Sequence, residues 1–228
     1  MRLFAIADLH FSYSVDKPMD IFGSRWDNHS EQICSAWNQT VAPEDAVLVP
    51  GDISWGMYLE EAASDLEALG RLPGKKFILR GNHDYWWSSL TKVISAVDPS
   101  IIPVQNNSAI LNNTRICGTR GWNCPSKQTG PEDHKIYERE LVRLELSLKS
   151  AKDTPEKIAM LHFPPFDEYK NPTGFTRLLE QYGVSRAVYG HLHGKSCAGA
   201  FEGVYNGIEY TLVSSDHLGF TPKLITEL

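Results

Sequence analysis

Five short apolar runs in this chain each end in residues that can bind a metal or move a proton. Leu3–Ala7 is followed by Asp8-Leu9-His10, Ala46–Val49 by Gly51-Asp52, and Lys75–Leu79 by Gly81-Asn82-His83-Asp84. Lys157–Leu161 runs into His162, and Arg186–Tyr189 into Gly190-His191-Leu192-His193. One Asp, Asn or His after a strand carries little weight, because these residues also start turns and cap helices. Five such ends in one chain are poorly explained as turns. Oxygens from Asp8, Asp52 and Asn82 with nitrogens from His10, His162, His191 and His193 form a mixed N/O set without thiolate. That set suits Mn, Fe or Zn rather than Ca or Mg. Seven donors are too many for one ion but suffice for two if one carboxylate bridges. Paired ions about 3.5–4 Å apart recur in phosphoester hydrolysis. If extended geometry persists past the strands, alternation sends Asp8 and His10 to one side, and likewise His191 and His193.

The runs that carry these residues are short, several are rich in β-branched types, and each reads as a buried strand. Amphipathic stretches lie between them. Ile33, Ala36, Trp37, Thr40 and Val41 form a helical stripe begun by Asn28 as N-cap with Glu31 three residues on. A second stripe, Leu59, Ala62, Ala63, Leu66 and Leu69, is expected to stop at Gly70 as its C′ residue. A third, Tyr137, Leu141, Leu144 and Leu148, follows Pro131 in a helix expected to reach Ala151 and to cover the sheet. The first part is thus β-α-β-α-β. In such sheets ligands bind beyond the carboxyl ends of the strands, which brings the five motifs together. Turns at Asn112-Asn113 and Asn206-Gly207 mark two hairpins. With strands at Tyr210–Ser214 and Leu224–Leu228, these imply a mixed α/β assembly or a two-sheet sandwich with helices outside. No repeat or linker divides the chain, so residues 1–228 read as one domain.

Composition narrows the function classes. The 228 residues are 42% apolar and 22% charged, which excludes disorder, collagen and coiled coil. A net charge of −6 argues against extended duplex nucleic acid or an anionic membrane as partner. No apolar run approaches the roughly 18 residues of a membrane span. The first residues read as a strand rather than a secretory signal, and a cytoplasmic location is expected. Cys34, Cys117, Cys124 and Cys197 form no CxxC pair and are expected to be reduced packing residues.

Taken in order from residue 8 to residue 193, Asp8-x-His10, Gly51-Asp52, Gly81-Asn82-His83-Asp84, His162 and Gly190-His191-x-His193 resemble the calcineurin-like metallophosphoesterase superfamily. The resemblance implies a four-layer fold, two β-sheets face to face with helices outside, and a two-metal site at one edge. Carried over, the first ion would take Asp8, His10, Asp52 and His193, and the second Asp52, Asn82, His162 and His191, with Asp52 bridging. His83 would then serve as general acid or transition-state donor, with Asp84 fixing its tautomer, and a metal-bridging hydroxide would attack phosphorus in line. The chain departs from the protein Ser/Thr phosphatase branch: Ser54-Trp55-Gly56-Met57 stands where that branch has an Asp-Arg pair, and Asp84 where it has Glu. The implied activity is hydrolysis of phosphoesters of small or nucleotide-type molecules, with mono- against diesterase open. The alternatives are a non-catalytic metal-binding scaffold of the same fold and a nuclease; the length and the charge weigh against the latter.

Several residues near the motifs admit two readings. Trp55, Tyr85, Trp86, Trp87 and Trp122 could form an aromatic wall against the substrate or supply buried core area. Arg120, flanked by glycines, could clamp a phosphate or lie on the surface. His29 is read as structural or capping, His134 as solvated, and His217 is given no role, nor is the loop from Phe11 to Trp26. Nothing in the sequence reads out an oligomeric state.

Overall fold

Strand alternation sorts the apolar side chains into three cores and thereby sets the layers. The computed structural model describes residues 1–126, 129–151 and 153–228. Strands β1 (Arg2–Ala5), β2 (Ala46–Val49), β3 (Lys75–Ile78) and β4 (Ile101–Pro103) run parallel, and β11 (Lys223–Glu227) adds to β1 antiparallel, in the order β11-β1-β2-β3-β4. The second sheet has the order β5-β6-β7-β8-β10-β9. Its parallel centre is β6 (Thr114–Thr119), β7 (Glu156–Leu161), β8 (Arg186–Tyr189) and β10 (Ile208–Leu212). The edge strands β5 (Ala109–Leu111) and β9 (Gly203–Tyr205) pair antiparallel through the two expected hairpins. In the second turn Asn206 and Gly207 both adopt positive φ, 48° and 82°, which a two-residue hairpin turn requires.

On β1, Leu3 and Ala5 face the other sheet and join Leu48, Phe77, Ile158, Met160 and Val188 in the central core. Phe4 points the other way, with Val47 and Val49, against Ile33 and Trp37 of α1 (His29–Thr40) and Leu66 and Leu69 of α2 (Leu59–Arg71). Short α3 (Leu90–Ala96) adds Val93 to that layer. On the far side, Cys117, Ala159 and Leu161 pack on Tyr137, Leu144 and Leu148 of α4 (Pro131–Lys149) and on Phe175 and Leu179 of α5 (Gly174–Gln181). The layers are therefore helix, sheet, sheet, helix. The α4 stripe covers the sheet, as expected. Among the described residues no helix is long and apolar enough to cross a membrane.

Two local expectations fail for tertiary reasons. Gly70 does not stop α2, which continues to Arg71. A Cβ at Gly70 would lie 2.8 Å from Asp98 Cβ, so glycine is there for close approach to the loop after α3. Asn28 is the N-cap of α1 but makes no side-chain cap bond and sits left-handed at φ 51°, so the Asn28/Glu31 capping box does not form.

At the opposite edge from the five motifs, Asp45 ties β1 to the loop before β2. Its carboxylate accepts hydrogen bonds from the N–H groups of Arg2 and Ala42 and from the Arg2 guanidinium, the last at 2.6 Å. Burial alone would raise this carboxyl, but the bonds from Arg2 and Ala42 outweigh it and hold the pKa below the ordinary carboxylate value. A depressed folded-state pKa stabilises above the unfolded value and loses that stability as pH falls through the folded one. Asp45→Asn should thus flatten the fall in Tm below about pH 4. An acid limb identical to wild type in thermal melts would refute this.

Candidate metal centre

The carboxyl ends of both sheets meet where the chain beyond β1 bridges to the chain beyond β10, Ala7 pairing with Ser214. This brings all seven sequence-predicted donors to one edge. Asp8, His10 and His193 offer ligand atoms within 4.8 Å of one another, and so do Asp8, Asp52 and His162. Asn82 Oδ1 lies 2.6 Å from His162 Nε2 and 2.9 Å from His191 Nδ1. Asp52 Oδ2 lies 3.4 Å from His162 Nε2 and 3.8 Å from His10 Nε2. One carboxylate thus faces both groups of histidines.

The donors converge by a different route from pleat alternation. Asp8, His10, Asp52 and His191 all have left-handed backbone, with φ of 59°, 47°, 53° and 74°. L-residues other than Gly, Asn and Asp seldom visit this region, and such strain concentrates at functional sites. Each kink turns a side chain from the strand direction into the edge between the sheets. The glycines of the motifs allow the same crowding. A Cβ on Gly81 would fall 2.0 Å from Asp52 Oδ1, and one on Gly190 would fall 2.5 Å from Asp8 Oδ2.

The electrostatics suit cations. Asp8 and Asp52 are buried, and among the described residues no Lys or Arg pairs with either. Burial pushes His10 and His191 down to about 3, so both rings are neutral at pH 7, the state that ligates. Burial also opposes charge on His162, but Asp52 and Asp8 outweigh it and raise that ring to about 9. His10 presents Nε2 to Asp52, and among the described residues its buried Nδ1 has no hydrogen-bond partner. Backbone and carboxylate groups orient the rings from behind: His162 Nδ1 is 3.0 Å from the Pro50 carbonyl and His193 Nδ1 is 2.9 Å from Asp216 Oδ1. The residues present fit a pair of divalent ions.

Two predicted roles change. The Asp84 carboxylate is not hydrogen-bonded to the His83 ring; it accepts from the N–H groups of Asp52, Ile53, Ser54 and Gly81 and from Trp86 Nε1. Burial first, then the charge of Asp52, pushes this carboxyl up to about 6 against the pull of those donors. Asp84 therefore knots two motif loops together instead of setting a tautomer. Trp86 is buried against it and presents no face to a substrate. Trp55, by contrast, stacks on His10 with ring centroids 4.9 Å apart and reaches His83 at 4.6 Å. Trp122 and Arg120 stand on a flank: Trp122 packs on Phe163, which packs on His191, while Arg120 lies 3.4 Å from Glu140 and over the Trp122 ring.

The sequence reading missed Asp216, although it follows the strand at Tyr210–Ser214 and so makes a sixth strand end with a carboxylate. It missed equally the loop segment Met19 to Trp26. With Asp52, His83, His193 and Trp55, the residues Met19 and Phe22 line a cavity of 350 Å³ over the centre. His29 Nε2 lies 3.1 Å from the His10 carbonyl, behind that candidate donor. His134 is exposed, and His217 pairs with Glu202.

A family model described as calcineurin-like phosphoesterase matches residues 1–195. The chain belongs to that family. A curated relative, the gene 66 protein of mycobacteriophage D29, is 37% identical over 82 residues, a match covering 34% of this chain and 38% of that protein. Among solved structures, the phosphopantetheinyl hydrolase of Mycobacterium tuberculosis superposes with a TM-score of 0.64 at 14% identity, over 100% of this chain and 96% of that one. Protein AQ665 of Aquifex aeolicus gives 0.54 at 16% identity, over 98% and 95%. These likenesses establish the fold. Family membership and the buried Asp/His clusters together accord with a binuclear metal site.

The contact behind His193 yields a prediction. Outer carboxylates that orient a ligating histidine are worth about 10- to 100-fold in metal affinity. Asp216→Ala should weaken by that factor the ion held beside His193, read in competition with a fluorescent chelator. Unchanged affinity would show that Asp216 serves only Gly194, whose N–H it accepts at 2.8 Å.

Proposed function

We propose that this phosphoesterase is a binuclear-metal-dependent hydrolase of small phosphoesters, with residues 1–228 as one catalytic domain. The observation that carries the reading is Asp52 facing both histidine groups, with the His83 loop tied to it. In this reading Asp8, His10, Asp52 and His193 hold one ion, and Asp52, Asn82, His162 and His191 the other. When bound, the ions supply charge neutralisation of the phosphoryl oxygens and acidification of water toward a pKa of about 7.

The chain's own residues do the rest. The His83 N–H donates to Asp52 Oδ1 at 2.8 Å, so the His83 backbone is fixed relative to the shared carboxylate. Its ring lies between Trp55 and Tyr85, with centroids 4.6 and 6.4 Å away, and borders the cavity. From there it donates a proton or hydrogen bond to the leaving oxygen. Trp55, Met19, Phe22 and Trp26 wall the opening with apolar surface and keep bulk water from the reacting group. The Trp55 indole N–H reaches Met19 Sδ at 3.2 Å, which joins the loop to this wall.

General acids contribute about 10²- to 10⁴-fold. His83→Ala should therefore lower kcat about 10²- to 10³-fold on an alkyl phosphate but less than about tenfold on 4-nitrophenyl phosphate, whose leaving group needs no proton. Equal losses on both would make His83 a transition-state donor instead. The activity itself is tested by chelating the protein, reloading it with Mn, Fe, Zn or Mg, and assaying mono- and bis-aryl phosphates. Two bound ions with no turnover under any metal would favour a non-catalytic scaffold.

A further inference from the structure

Beside the metal centre lies a cluster of arginines that the hydrolytic reading does not use. Glu140 of α4 is buried, and its Oε1 is approached by Arg143 Nη1 at 2.8 Å, Arg120 Nη2 at 3.4 Å and Arg139 Nε at 3.9 Å. Its Oε2 takes the Thr119 hydroxyl at 2.7 Å. Arg80 stands close enough to Arg120 to repel it, as do Arg139 and Arg143. Asp133 contributes a second carboxylate at the margin, where it accepts the Trp122 indole N–H at 3.1 Å. Three guanidinium groups thus share the Glu140 carboxylate, and with Arg80 nearby the flank carries an excess of positive charge in a chain whose net charge is −6.

The cluster borders the site through both backbone and rings. Arg80 immediately precedes Gly81-Asn82, which puts its Cα within roughly 7 Å of the Asn82 Cα. The Arg120 carbonyl accepts the N–H groups of His162 and Phe163 at 3.0 and 2.8 Å. The Arg120 guanidinium rests 4.6 Å over Trp122, whose contact with Phe163 and then His191 leads to the second ligand group. Nε of Arg80 and Nε of Arg120 are both buried, and among the described residues neither has an acceptor. Buried guanidinium donors without acceptors cost stability, while planar guanidinium forks match phosphate and carboxylate oxygens. Accessibility is not lacking, since Arg139 is 53% and Arg143 35% exposed.

We propose that Arg80, Arg120, Arg139 and Arg143 form a second anion site that receives a phosphate or carboxylate group carried by the substrate away from the scissile phosphate. The inference rests on the phosphohydrolase reading for the word substrate, but the anion site itself does not need the metals. It selects small phosphoesters with two anionic groups, held by the arginine flank while the reacting phosphate meets the centre.

Two measurements test it. Inorganic phosphate is titrated by calorimetry into the full-length protein kept in EDTA at low salt. One phosphate per chain is expected, with at least tenfold weaker binding in Arg80→Gln and several-fold weaker binding in Arg139→Gln, a half-exposed position whose replacement spares the core. No binding by wild type, or equal binding by both folded variants, would overturn the site. The second measurement compares n-propyl phosphate, 3-phosphooxypropanoate and 1,3-propanediol bisphosphate as substrates of the metal-loaded enzyme. A KM at least tenfold lower for either doubly anionic substrate, lost in Arg80→Gln, supports the assignment and shows which anion is preferred. Equal KM for all three in wild type overturns it. Absence of turnover with every substrate would instead sink the phosphohydrolase reading, with the calorimetry still deciding the anion site.

Discussion

Asp52→Asn is expected to lower kcat by about 10⁴-fold and to cut the metal content from two ions per chain to one or fewer. The reason is the number of functions that meet in one side chain. Its Oδ2 faces His162 at 3.4 Å and His10 at 3.8 Å, and its Oδ1 holds the His83 backbone at 2.8 Å. An amide in its place removes one of the two buried carboxylates that would attract the cations, and it turns an NH2 group toward histidine nitrogens or toward the His83 N–H. Several kcal/mol of charge stabilisation are then lost, at 1.36 kcal/mol for each tenfold in rate. In the proposed mechanism the loss exceeds that of His83→Ala, because there His83 acts on one oxygen whereas Asp52 serves both ion positions. Metal analysis of the purified variant and steady-state rates with saturating metal check this. Retention of two ions with more than a tenth of wild-type kcat would remove Asp52 from the shared position.

Asp84→Ala should be the most destabilising single change near the site, with Tm lowered by roughly 10–20 °C. Five donors converge on its carboxylate, four of them backbone N–H groups from two loops, and the side chain is fully buried. Alanine leaves them without an acceptor and without water. Each such donor costs about 1–3 kcal/mol, and partial relaxation leaves a total of about 5 kcal/mol. For a chain of this size about 1 kcal/mol moves Tm by roughly 2–4 °C. Melting should be followed in EDTA so that bound ions do not mask the loss. Asp84→Asn keeps one acceptor oxygen but turns an NH2 group toward the donors, so it should fall between wild type and alanine. A Tm within about 2 °C of wild type together with a large fall in kcat would return Asp84 to the role of orienting His83.

These two residues mark the boundary between what a linear reading reaches and what it does not. The donors were legible because their types are chemically restricted and because strand ends are local features, found from short apolar runs. The two hairpins were legible for a similar reason, since Asn-Gly and Asn-Asn mark tight turns without reference to the rest of the chain. Gly70 was misread because its local pattern suits a helix stop while its tertiary neighbour, Asp98, is 28 positions away. The expectation that alternation would align Asp8 with His10 also failed in detail: left-handed backbone at four donors, not the pleat, turns them inward. In the sequence Arg120 suits a clamp or a surface position equally, and the fold gives it a third place, beside buried Glu140.

The sequence by itself determined the residue types at the site, their order, the strands that present them and the layered α/β class. All of these follow from local periodicity and from the narrow chemistry of Asp, Asn and His. Only the tertiary structure decided partnerships. It assigned Asp84 to the backbone of two loops, Asp216 to His193, Met19 and Phe22 to the wall of the cavity, and three arginines to one buried glutamate. The physical reason is that a hydrogen bond or an ion pair depends on where two side chains end up in space. For groups tens to hundreds of positions apart, such as Asp8 and the His191 N–H, that is set by sheet order and packing rather than by any pattern along the chain.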